Sequence, residues 1–478
     1  MADRSPPRWD RLAPAYERAC RILAAVPGPV HLLGICGVGM AGLAVLLRGR
    51  GHVVSGCDAS PSARIAGFLR KRGIEVLHGH DPEHISGNEQ FLVRSPAVSE
   101  SHSEWQAAAA AGRPCFDRGE VLAALVRSCK AVGVSGTHGK TTTTAMLVHI
   151  LRQVQGSVSF AVGGEIDADG TVADHAPGAP LVFEADESDG TLVLYECEHA
   201  VITNVEMDHA DFFEDEASLD ACFGAFAARV RGETWFCRDD PGAVRAAERA
   251  GRPRSYGFEP GAELRAERVE CRGLGSAAEI FAGGRRIGSM ALRVPGRTNV
   301  LNALGAIGAS MSLGIDPASA IRALSSFSAV RRRFEVMLDT ARATIVSDYA
   351  HHPTEIRALV AQAQLGFAPR RLVAVFQPHR YTRTALLGSL FPDAFEGVER
   401  VILAPVYAAS EPPMPGGSHI DLAEHFVARG RPVEIAESLL DAWDRIRHNW
   451  RDGDVLLVVG AGDVEKIAMW AAGEWKTT

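Results

Sequence analysis

The chain has no C-x-x-C pair: its nine cysteines are scattered without paired spacing. That argues against a disulfide framework or a zinc site, and for reduced thiols in a cytoplasmic protein. Long apolar runs are missing as well. No stretch approaches the roughly 20 residues of a membrane span. The opening segment "MADRSPPRWDRLAPAYERACRILAAVPGPV" mixes both signs of charge and lacks the apolar core of a signal peptide. It is expected to form a short amphipathic helix ahead of the first strand. Positive charge is not in excess, since the formal net charge is −8, and a broad nucleic-acid surface is thereby disfavoured. Fixed-period repeats and low-complexity tracts are also absent. These absences predict a soluble cytoplasmic protein, with no nucleic-acid and no membrane partner.

What is present is ordinary globular composition, with 46% apolar and 23% charged residues in 478. That length calls for two to four domains. Apolar strands alternate with helical stretches throughout, predicting an α/β protein of three domains, at 1–128, 129–329 and 330–478. The first opens with "GPVHLLGICGVGMAGLAVLLRGRGHVVSGCD", a βαβ unit of Rossmann-like type. Gly34, Gly37 and Gly39, with Val38 between them, would let a diphosphate approach the helix N-terminus. Asp58 either binds a ribose or simply ends its strand.

The second domain begins with "AVGVSGTHGKTTTTAMLVHI", an apolar strand, a glycine loop, a lysine and a threonine-rich helix start. Gly136, Thr137, His138 and Gly139 form a phosphate cradle. Lys140 adds a point charge, and Thr141 or Thr142 offers a hydroxyl to Mg²⁺. The loop departs from G-x-x-x-x-G-K-[ST] because Val134 takes the first glycine position. Two further strands end in "EADESDG" and "TNVEMDH". Four carboxylates in six residues call for cations, and Mg²⁺ favours oxygen ligands. Glu187 is the first choice of ligand, Glu184 competes with it, and His209 joins them. In the third domain "SDYAHHPTEI" sets Tyr349 and His351 after a strand, with Pro353 starting a helix. "FQPHRYTRT" sets Arg380 and Arg383 after another, where they suit a carboxylate.

Taken in order, "GTHGKTTTT", "EADESDG", "TNVEMDH", "DYAHHPTEI" and "FQPHRYTRT" resemble the Mur ligase family of peptidoglycan synthesis, over nearly the whole chain after its N-terminal extension. The resemblance implies a UDP-binding Rossmann-like domain, a central P-loop ATPase-type domain and a C-terminal Rossmann-like domain for the amino acid. It implies ATP-dependent joining of L-alanine to UDP-N-acetylmuramate through an acyl phosphate, with Mg²⁺ held by Thr141, Glu187 and His209. It further implies Asn299 and Asn302 near the adenine, Ser95 in the UDP-sugar site, and Tyr349, His351, Arg380 and Arg383 near the amino acid. Lys140, His209, His351 and Arg380 would be catalytic. The sequence departs from the alanine-adding pattern at Ser347, where an aspartate is usual, and at Thr298, where a histidine is usual. "NVEMDHADFF" and the cysteine of "GICG" lean toward the tripeptide-adding branch, whereas "FQPHRYTRT" belongs to the alanine-adding one. A nucleotide-binding relative without turnover is the remaining alternative. No lysine lies between Ala210 and Glu233, so no carbamylated lysine is expected.

Overall fold

The computed structural model describes residues 8–167, 170–209 and 212–476. Three sheets follow one another along the chain. The first is wholly parallel, in the order Glu75–His78, Val53–Asp58, Pro29–Leu33, Phe91–Arg94, Cys115–Asp117. Its central strand "PVHLL" is buried over its last four residues, as expected of a strand covered on both faces by helices. The N-terminal extension forms a 3₁₀ turn, Arg8–Leu12, and the helix Ala13–Leu23, which buries Tyr16 and Ala19.

The second sheet has ten strands. Its parallel centre runs Thr234–Cys237, His199–Ile202, Ala131–Ser135, Leu181–Glu184, Ser159–Ala161. Beyond Thr234–Cys237 it continues through Pro253–Gly257 into an antiparallel meander of Leu264–Arg272, Gly275–Ala282 and Arg285–Leu292. The small-residue segment predicted as a long helix is the helix Arg297–Ser312. Its small side chains allow close approach: a Cβ at Gly308 would sit 2.6 Å from the Trp235 ring.

The third sheet is ordered Glu335–Asp339, Ala343–Asp348, Asp454–Val459, Leu372–Phe376, Arg400–Leu403, Glu434–Ile435, and only its first strand is antiparallel. Pro353 is the first residue of the helix Pro353–Phe367, where its missing N–H is no loss. In all three sheets the loops after the parallel strands carry the polar motifs. This is where open α/β sheets bind ligands. Among the described residues no helix is long and apolar enough to cross a membrane.

Candidate active site

The phosphate loop links the buried strand Ala131–Ser135 to the helix Lys140–Gln155. Two of its glycines are required by geometry. Gly136 has φ +131° and Gly139 φ +83°, and a Cβ would lie 2.0 Å from Thr203 Oγ1 at the first and 2.6 Å from Asn302 Oδ1 at the second. The strand end "TNVE" braces the loop. Thr137 N donates to Asn204 O (3.0 Å), His138 N donates to Asn204 Oδ1 (2.8 Å), and Thr203 Oγ1 donates to His138 O (2.6 Å).

Lys140 Nζ donates to Gly136 O (2.5 Å), Thr137 O (3.2 Å) and both carboxylate oxygens of Glu187 (2.9 Å each). Burial opposes its charge, but Glu187, Asp186 and Glu184 outweigh burial and raise its pKa. Thr141 Oγ1 donates to Glu184 Oε2 (3.2 Å), so Glu184 and Glu187 both face the helix start. Burial lifts both carboxyls above their usual range despite Lys140. Burial acts likewise on Asp186, yet Lys140, Arg118 and His209 hold it well below that range. His209 Nε2 is 3.9 Å from Glu187 Oε1 and 3.9 Å from Asp208 Oδ2.

A cavity of about 270 Å³ lies beside the loop, between the second and third sheets. His138, Gly139, Thr142, Asn299 and Asn302 line it from the central domain, and Asp348, Thr354, Glu355 and Gln362 from the C-terminal domain. Asn302 Oδ1 accepts from Thr143 Oγ1 (3.2 Å), and its Nδ2 donates to Asn299 Oδ1 (3.3 Å). Thr298, one of the two departures, accepts from Gln362 Nε2 (3.1 Å) and thus ties the two domains. The other departure, Ser347, is a buried strand residue.

The third domain reaches the loop through the helix Pro353–Phe367. Thr354 Oγ1 donates to Glu206 Oε1 (2.8 Å), and His138 lies between Glu206 (Nε2 to Oε2, 3.1 Å) and Glu355 (Nδ1 to Oε1, 3.4 Å). Burial alone would lower the His138 pKa, but the two carboxylates raise it to about 9. The guanidinium groups of Arg332 and Arg333 both lie over the Tyr349 ring, at 4.8 and 5.2 Å from its centroid. His351 Nδ1 is 3.0 Å from Tyr349 O, and its ring faces that of His379 at 5.6 Å. Burial, resisted by Glu355 and aided by Arg383, drives His351 down to about 4. Arg380 precedes the helix Tyr381–Leu387 with φ +68°, and His209 has φ +55°. Non-glycine residues in this region are uncommon and cluster at functional sites. Arg383 is clamped on Asp208 of the central domain, so the carboxylate it holds in this structure belongs to the protein itself.

A second cavity, of about 250 Å³, opens between the first and second domains. Gly37, Val38, Gly39 and Ser95 line one wall, and Gly163, Glu184 and Asp186 the other. Gly37 caps the helix Val38–Gly49. Gly34 (φ +75°) packs on Ser95, with a built Cβ 3.0 Å from the serine Cβ. Asp58 accepts from Cys36 N (3.1 Å) and Ser60 N (3.0 Å), so it steadies the glycine turn as well as ending its strand. Arg118, which the sequence reading passed over, projects into the same cavity over Gly39. Its only local signal is "FDRGE", where Glu120 accepts from Asp117 N (2.9 Å) and starts the helix Arg118–Arg127.

Three family models match in succession: the Mur ligase family catalytic domain over residues 29–129, the Mur ligase middle domain over 134–310, and the Mur ligase glutamate ligase domain over 332–462. The chain belongs to the Mur ligase family. Among curated relatives of this family, UDP-N-acetylmuramate–L-alanine ligase of Nitratidesulfovibrio vulgaris is 40% identical over 450 residues, which are 93% of this chain and 98% of that one. The enzyme of the same name from Mycolicibacterium smegmatis is 40% identical over 453 residues, 92% of this chain and 93% of that one. Among solved Mur ligase structures, UDP-N-acetylmuramate-alanine ligase from Thermotoga maritima superposes with a TM-score of 0.81 at 25% identity, covering 94% of this chain and 99% of that one. A murein peptide ligase from Psychrobacter arcticus superposes with a TM-score of 0.69 at 23% identity, covering 93% and 98%, and shows the shared fold.

Proposed function

We propose that the chain is an ATP-dependent ligase that forms the amide bond between the lactyl carboxylate of UDP-N-acetylmuramate and L-alanine, by way of an acyl phosphate. The observation that carries this is the end-to-end match, at 40% identity, to curated relatives named for that reaction. In this reading residues 1–128 hold the UDP-sugar, 129–329 ATP and 330–478 the amino acid. ATP and nucleotide-sugar chemistry suits the cytoplasm, with the protein a monomer or homodimer.

The glycine turn Gly34–Gly39 and Arg118 receive the anionic UDP-sugar and direct its carboxylate toward the cavity wall that also carries Glu184 and Asp186. Lys140, together with the N–H groups of Gly136–Thr142, neutralises the β- and γ-phosphates of ATP, and Asn299 and Asn302 face the adenine. Glu187 is buried and Glu184 half-buried, and burial disfavours the charge on both, so their oxygens form a donor set that fits a hard divalent cation. Thr141, Glu187 and His209 would hold Mg²⁺, which when bound supplies charge neutralisation to the phosphoryl group in transfer. His351 stays neutral because of its burial and orients the incoming amine, while Arg380 and Tyr349 set the alanine carboxylate. Domain closure through His138, Thr354 and Arg383 excludes water from the acyl phosphate.

The test is phosphate release by purified protein with ATP, magnesium and UDP-N-acetylmuramate, comparing L-alanine, glycine, L-serine and the L-alanyl-γ-D-glutamyl-meso-diaminopimelate tripeptide. Release that requires L-alanine, with the matching amide by mass, supports the reading. Release with the tripeptide alone transfers the chain to the recycling branch, and no release with any amine sinks both.

A further inference from the structure

Beneath the glycine turn of the first domain lies a cluster of side chains with no part in the chemistry above. His31 is the middle residue of the strand Pro29–Leu33, and Cys57 lies on its neighbour Val53–Asp58. His84 ends the turn Pro82–His84, with His80 just ahead of it, and Glu104 sits in the first turn of the helix Ser103–Ala110. One ligand atom from each of His31, Cys57, His84 and Glu104 lies within 4.8 Å of the other three. His31 is 1% exposed, and Cys57 and Glu104 are fully buried.

Glu104 is the hub. Its Oε1 is 2.7 Å from His84 Nδ1 and accepts from Asp81 N (3.0 Å); its Oε2 is 2.9 Å from His80 Nδ1 and accepts from Cys57 Sγ (3.1 Å). His31 is gripped from behind, with Nδ1 2.9 Å from Ser55 Oγ. Its Nε2 is buried and has no hydrogen-bond partner. An unsatisfied buried polar atom costs about 1–3 kcal/mol, so it calls for a physical reason. A second ring, His102, also has a buried nitrogen without a hydrogen bond and stands edge-on to His80 at 4.4 Å.

One thiol, two imidazoles and a carboxylate are a borderline-soft donor set. It suits zinc and its neighbours, whereas magnesium and calcium take oxygen. The Ser55 contact on Nδ1 is the outer partner that fixes a ligand histidine's ring and leaves Nε2 to the metal. We propose that His31, Cys57, His84 and Glu104 form a binding site for a zinc-class transition-metal ion that cross-links two strands, a turn and a helix of the first domain. On loading, the Cys57 S–H, which now donates to Glu104, releases its proton to solvent and the thiolate binds the ion. The cross-link bears directly on the glycine turn: Cys57 O accepts from Gly34 N (2.9 Å) and Ile35 N (3.1 Å), and the next residue, Asp58, accepts from Cys36 N. The ion therefore stiffens the turn, whatever ligand that turn holds.

The test uses the full chain, stripped with chelator and titrated with Co²⁺. One equivalent should give a near-ultraviolet thiolate charge-transfer band together with the intense visible bands of a tetrahedral ion. Cys57→Ser should lose the near-ultraviolet band, and His31→Gln should weaken binding by at least about tenfold. His352→Ala, which opens the separate His138–Glu206–His352 cluster, should leave the spectrum unchanged. Zn²⁺ at a hundredfold excess over its dissociation constant should raise the thermal midpoint by about 3 °C in the wild type and not in His31→Gln. No thiolate band at one equivalent, a band that survives Cys57→Ser, or equal Zn²⁺ shifts in wild type and His31→Gln would each overturn the proposal. If Cys57→Ser does not fold, the His31→Gln titration and melting decide alone.

Discussion

Arg383, in the third domain, closes as a fork on Asp208 of the second. Its Nε lies 3.1 Å and its Nη2 2.9 Å from Oδ1, and Nη2 is also 3.1 Å from Oδ2. The two residues are 7% and 8% exposed. Burial works against the Asp208 charge, but Arg383, then His209 and His351, hold its carboxyl well below the usual range. Asp208 Oδ1 also accepts from His209 N (2.8 Å), so the clamp reaches a proposed metal ligand. Breaking one side of such a pair leaves a buried charge, a loss of roughly 3–5 kcal/mol. Arg383→Ala should therefore cut kcat/KM by at least about a hundredfold and widen the solution scattering profile. Arg383→Lys keeps the charge but not the fork, and should recover only part of the loss. Wild-type turnover in Arg383→Ala would show the clamp to be incidental.

Lys140→Met should lower kcat by about 10²–10³-fold, the usual loss when one preorganised charge is removed from a transition state. Its far-ultraviolet circular dichroism should match the wild type. The same variant leaves Glu187 without its cation, so tight ATP binding by equilibrium dialysis should also be lost. Unchanged single-turnover phosphate release would remove Lys140 from the reaction.

The His138 clasp makes stability fall on the alkaline side. The group has an ordinary pKa of 6.5 and a folded one of about 9. Its contribution is therefore fully present below pH 6.5 and is lost as pH rises through 9. The shift corresponds to an upper bound of roughly 3 kcal/mol. Urea midpoints measured between pH 6 and 10 should decline across that window in the wild type and stay flatter in His138→Gln. Parallel curves for the two proteins would refute the assignment.

Gly136→Ala should be worse than Gly139→Ala. The first puts a Cβ 2.0 Å from Thr203 Oγ1 at φ +131°, and the second meets the movable end of Asn302 at φ +83°. Expected stability losses are above about 2 kcal/mol for Gly136→Ala and about 1 kcal/mol for Gly139→Ala. Chemical denaturation gives the order directly, and the reverse order would contradict the loop geometry.

Arg118→Ala should raise KM for the UDP-sugar by about tenfold or more with a smaller change in KM for ATP, because its guanidinium lies in the cavity beside Gly39. Arg118→Lys should restore part of that affinity if charge is what the site uses. A matched rise in both KM values would mean that Arg118 only supports the fold.

The phosphate loop was legible in the sequence because everything that makes it is contiguous: glycines with positive φ, a lysine at a helix start and an apolar strand before them. Pro353 and the small-residue helix were legible for the same local reason. The glycine turn is legible as a turn, whereas the hydrogen bond from Cys36 N to the Asp58 carboxylate joins residues 22 apart and has no local signature. Arg118 was missed because one arginine after a short strand carries no periodicity and no motif. Cysteine spacing argued against zinc, since it reports ligands close in sequence, whereas His31, Cys57, His84 and Glu104 are gathered by the pairing of two strands and the packing of a turn and a helix against them.

By itself, then, the sequence determined the family, the α/β layering and the identity of each polar strand end, since these depend on local pattern and on chemistry carried within a few residues. Tertiary structure alone decided which strand ends meet. Asp208 and Arg383, 175 residues apart, and His138 between Glu206 and Glu355 are brought together by parallel sheet order and domain docking. Those contacts arise from the burial of whole faces, and no single stretch of chain encodes them.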